Sequence, residues 1–135
     1  VTLAEIEAAL EERLLAINPA IATAFENKTF TPVAGTEYQR INHLTNTPVD
    51  HAVTLDVTED RGILQVSLFY PLDKGRVPAK TRAQLIRDQF KPPLTLTKGT
   101  GKVEILKTPS IGSGFPDGDR YMVPVSIYWR SFQTP

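Results

Sequence analysis

Hydrophobic positions near the start of the chain recur at helical spacing, and later ones fall into runs typical of strands. Leu3, Ile6, Leu10, Leu14 and Ile17 form one stripe, with Glu5, Glu7, Glu11 and Glu12 off it, a pattern that predicts an amphipathic helix. Thr2 and Glu5 hold the two positions of a capping box. Pro19 ends this pattern, and Asn18-Pro19 offers a cap and a first-turn proline for a short second helix through Phe25. From Thr29 to Leu44 the chain is rich in Thr, Pro and β-branched residues, and Thr36–Leu44 within it predicts a strand. The polar, acid-bearing stretch 45–60 reads as a mobile loop, of a length usual for functional or disordered segments.

Ile63–Tyr70 (ILQVSLFY) is apolar at both parities, as expected of a central strand, and Pro71 with Asp73-Lys74-Gly75 ends it. A second main helix is predicted from Pro78 to Phe90, with Ala79, Ala83, Ile86 and Phe90 on its buried side. Pro92-Pro93 stops it. Short strands follow at Leu94–Thr97 and Val103–Lys107, separated by a Lys98–Gly101 turn. The last element places Tyr121, Val123, Val125, Ile127 and Trp129 on one face, and Pro124 within it suggests a sheet edge or a bulge. Together these elements predict an α+β fold for residues 1–135. Two main helices pack on a mostly antiparallel sheet of about four to five strands.

A length of 135 residues with 41% hydrophobic and 22% charged content suits one folded domain and argues against wholesale disorder. No apolar run reaches membrane-span length. The first residues are acidic where a signal peptide is basic, so synthesis and assembly in the cytoplasm are expected.

Charge changes the picture more than composition does. Residues 1–60 hold ten acids against three bases, and residues 74–107 hold nine bases against two acids. Such segregation has two readings. Either the two regions are solvated surfaces of one monomer, or the acidic region of one subunit meets the basic region of the next, a head-to-tail contact that can close a ring. The candidate interface residues on the second reading are Lys80, Arg87 and Lys91 on the basic side, with Glu59 and Asp60 on the acidic side.

The search for chemistry returns little. No Cys is present, and His43 and His51 are the only imidazoles, without the spacing of a helical zinc motif. The serines lack a nucleophile-elbow context. No metal or cofactor is therefore expected, and no catalytic residue is assigned.

In Ile111–Arg120 (IGSGFPDGDR) the glycines lack the Gly-Lys-Ser/Thr ending of a phosphate loop, and Asp117-Gly118-Asp119 lacks the later ligands of a calcium loop. The string reads as a wide hairpin connection, with Phe115, Asp119 and Arg120 as further candidates for a subunit contact. Lys80, Arg87 and Lys91 are not interleaved with aromatic residues and the pI is about 6.9. Sequence-specific nucleic-acid binding is not expected, although a surface lining a DNA passage stays open.

Four strings carry a resemblance: LAEIEAALEERL, FTPVAGTEYQRINHL, GILQVSLFYPLDKG and, most specifically, TPSIGSGFPDGDRYMVPVSIYWR. They resemble the tail-terminator, or tail-completion, proteins of siphophages, in order and over nearly the whole chain, with 45–60 the least similar part. The resemblance implies a structural subunit of a hexameric ring that caps the tail tube, ends tail polymerisation and presents a surface to a head-completion or stopper protein. DNA would pass through the lumen without sequence-specific binding, and no membrane is involved. It implies no catalytic residues, and a location in the host cytoplasm during assembly and then in the virion. The alternatives are another head–tail joining component, and a small hydrolase or nuclease whose site forms only in three dimensions.

Overall fold

The computed structural model describes residues 2–50, 58–98 and 101–133. Helix α1 (Leu3–Leu15) starts at the capping box: Glu5 N donates to Thr2 Oγ1 at 3.2 Å, and Thr2 N donates to Glu5 Oε1 at 3.0 Å. Its buried residues are Ile6, Ala9, Leu10 and Leu14, the centre of the predicted stripe. The short helix expected from Asn18 is absent. In its place β1 (Ala22–Ala24) pairs in parallel with β2 (Tyr38–Thr45). A segment this short gains little from helix formation, whereas pairing with β2 buries Ala24 completely.

The remaining strands are β3 (Val49–Asp50), β4 (Thr58–Pro71), β5 (Thr95–Lys98), β6 (Gly101–Ile105), β7 (Ser110–Ile111), β8 (Phe115–Asp117) and β9 (Arg120–Gln133); α2 (Val77–Gln89) lies between β4 and β5. They form one curled, mixed sheet, a half-barrel, with the order β1-β2-β4-β9-β6-β5. β3 adds to β4, while β7 and β8 add to β9. This corrects the expectation of a mostly antiparallel sheet of about four to five strands. The difference has a physical origin. β4 and β9 are each 14 residues long and run antiparallel from Thr58↔Gln133 to Pro71↔Arg120. Their polar ends give no apolar run, yet each offers a paired edge that recruits two- and three-residue strands too short to show a period. Within the predicted mobile stretch 45–60, Thr45 closes β2, Val49–Asp50 and Thr58–Asp60 are strand, and 51–57 lie outside the described residues.

Both helices contribute to one core on one face of the sheet. Ile6, Leu10 and Leu14 of α1 and Ala79, Ala83 and Ile86 of α2 share it with Leu64, Val66 and Leu68 of β4 and with Val123, Val125, Ile127 and Trp129 of β9. Pro124 sits in this interior strand, not at a sheet edge. Its carbonyl accepts from Gly112 N at 2.8 Å. Because N–H and C=O of one residue point the same way in an antiparallel strand, the missing N–H faces the break between β7 and β8. No β4 ladder bond is lost.

Candidate functional site

The eight candidate interface residues do not gather into one patch. On α2, Lys80 Nζ donates to the Gly112 carbonyl at 2.9 Å, and Arg87 Nε donates to the Pro109 carbonyl at 3.2 Å. Two of the three basic side chains therefore tie the helix to the segment leading into and out of β7. Lys91 is more exposed, with its Nζ 4.0 Å from Asp88.

At the β8–β9 hairpin, Phe115 pairs with Met122 and Asp117 with Arg120. Gly118 takes a φ of +61° in the turn, a conformation that suits glycine. The Phe115 ring is exposed, and the Asp119 side chain is 88% exposed. Arg120 is buried. Its guanidinium donates to the Thr36 carbonyl and, at 2.7 Å, to the Val33 carbonyl, and it lies 5.1 Å from the Tyr38 ring centroid. Tyr38 in turn stacks on Phe69 with centroids 4.8 Å apart. Arg120 thus fixes the 33–36 loop over the end of the sheet.

The glycines of the same string serve packing. A Cβ on Gly114 would stand 2.0 Å from Tyr121 Oη, and one on Gly112 would stand 2.7 Å from Pro124 Cγ.

Glu59 and Asp60 lie at the other end of the β4–β9 ribbon. Glu59 is 1% exposed and accepts from Arg61 Nε, which raises the Arg61 pKa through that hydrogen bond. Asp60 is half-buried. Asp60 and Pro71 are eleven residue steps apart along β4, roughly 36 Å of strand at the usual rise. The acidic candidates and the hairpin candidates therefore lie at opposite ends of the β4–β9 ladder.

Two polar features escaped sequence reasoning. His43 Nε2 lies 2.8 Å from Glu11 Oε2, joining β2 to α1. Arg82 is buried within the apolar side of α2, and burial lowers its pKa. Its position with Ala79, Ala83 and Ile86 follows helical spacing, so the stripe itself held the signal.

Among the described residues no group of three or more His, Asp or Glu side chains is placed to hold a metal ion. Among them, too, no helix is long and apolar enough to cross a membrane.

The phage tail terminator protein family model matches residues 5–129, nearly the whole chain. The chain belongs to the phage tail terminator family. As a member of it, this chain is a structural component of the phage tail. No curated protein gives a significant match. One solved structure is 25% identical and superposes with a TM-score of 0.81, covering 100% of this chain and 99% of its own. A chain from the virion of a native gene transfer agent particle shares the fold at 14% identity and a TM-score of 0.69, with 96% of each chain covered. In this tail-terminator chain the family match includes all of β4 and α2, β9 as far as Trp129, and most of the TPSIGSGFPDGDRYMVPVSIYWR string.

Proposed function

We propose that this protein assembles into a closed ring, a hexamer, that caps the phage tail tube, stops its polymerisation and presents a surface for head joining. The family match over residues 5–129 is the observation that carries this reading. The charge segregation between residues 1–60 and 74–107 supports a heterologous contact between successive subunits.

Among the candidates, Lys91, Phe115 and Asp119 face solvent and are available for such a contact. Lys80, Arg87, Arg120 and Glu59 instead hold the subunit in the shape that presents them. The protein acts by assembly and not by catalysis. It binds the tail-tube protein on one side and a head-completion or stopper protein on the other, in the host cytoplasm and then in the virion. DNA passes through the lumen without sequence-specific contacts.

The test is a phage lacking this gene product. Overlong, headless tails are expected. Tails of normal length that merely fail to join heads would contradict termination and support a joining role.

A further inference from the structure

A cavity of about 150 Å³ opens beside α2. Arg82, Thr81, Tyr70 and Glu37 are its polar groups, and Ile21 and Leu85 are among its apolar ones. Arg82 is 4% exposed. One guanidinium nitrogen donates to the Pro19 carbonyl, while the buried Nε has no partner. Among the described residues no carboxylate pairs with it. A guanidinium keeps its charge in a protein, and a buried charge without a counterion is costly. The folded subunit thus holds a desolvated cation, its buried Nε without a partner, in the wall of a cavity.

We propose that this cavity receives the carboxylate of an acidic side chain carried by a second copy of the chain. The fork of a guanidinium matches a carboxylate in shape and charge. The volume suits a carboxylate with a methylene or two, a few times the roughly 30 Å³ of one water. Glu37 in the same lining repels a free anion, so the occupant needs further contacts to hold it there. An acid borne on a polypeptide has them, because its backbone and neighbouring side chains can cover Ile21 and Leu85. The chain itself supplies the acids: residues 1–60 carry ten against three bases, and Asp119 projects from a hairpin turn with its side chain 88% exposed. This occupant rests on the self-assembly proposed above.

Native mass spectrometry over a concentration series tests it, with the protein alone and with tail tubes. Arg82→Met removes the receiving cation. Leu85→Glu places a carboxylate in the cavity lining and leaves the Arg82–Pro19 bond intact, so it separates assembly from folding. Each variant is expected to need roughly tenfold more protein than wild type for half-assembly, and Leu85→Glu is expected to melt no lower than wild type. If wild type forms rings and both variants form them at the same concentrations, the Arg82 site is refuted while the ring stands. If wild type stays monomeric under both conditions, the ring reading itself falls, and this occupant with it.

Discussion

Gly62 faces Trp129 across the β4–β9 ladder so closely that a Cβ at position 62 would lie 2.6 Å from Trp129 Cζ2 and 2.8 Å from the Leu44 carbonyl oxygen. The indole is 1% exposed and among the largest fully buried side chains of the core, so it cannot move aside without opening a void. Gly62→Ala is expected to destabilise the fold by about 1–3 kcal/mol, the usual cost of overpacking. Urea denaturation would show it as a lower midpoint at unchanged slope.

Arg120 reaches two backbone carbonyls of a loop more than 80 residues away in sequence. Hydrogen bonds from a charged donor are each worth about 1.5–3 kcal/mol. Arg120→Leu should therefore lower stability by at least about 1.5 kcal/mol and raise amide exchange in residues 33–38. An exchange pattern unchanged in that loop would show that it is held by other contacts.

Charge reversal should separate two kinds of charged side chain among the interface candidates. Lys80→Glu and Arg87→Glu lose bonds to Gly112 and Pro109 and are expected to lower the melting temperature of the monomer. Lys91→Glu alters an exposed charge. It should leave the melting temperature nearly unchanged while weakening assembly in a salt-dependent way. Equal effects on melting and assembly from all three would refute this division.

Tyr70 gives a pH signature. Burial raises its phenol pKa, Arg82 offsets part of that rise, and Glu37 adds to it. The folded state thus holds the phenolic proton more tightly than the unfolded state does. The resulting stability is fully present below the unfolded value of about 10 and is lost as pH climbs through the higher folded value. Tyr70→Phe should flatten this alkaline limb in a series of unfolding curves above pH 9, a threshold about one unit below that value.

The N-terminal helix, α2 and the two long strands were legible in the residues because each announces itself locally. A cap is set by Thr2 and Glu5 three positions apart, and the buried stripe of α2 repeats with the helical turn. The string TPSIGSGFPDGDRYMVPVSIYWR carried the family in the same direct way. The acidic and basic segments were legible as well, but not what their members bond to. Lys80 reads as a surface cation until Gly112, 32 residues later, is seen to accept from it. The bond from Arg120 to the Val33 carbonyl likewise exists only once the fold brings the two together.

The sequence by itself determined where the two main helices lie, that strands run through Ile63–Tyr70 and Tyr121–Trp129, which faces are apolar, and to which family the chain belongs, because periodicity, caps and strings are properties of neighbouring residues. The tertiary structure alone decided that residues 22–24 pair as a strand, that short segments enlarge a curled mixed sheet, and which charges are buried and which exposed. Those outcomes depend on backbone edges and carbonyls contributed from distant parts of the chain, whose free energies of pairing and desolvation exist only once the fold has brought them together.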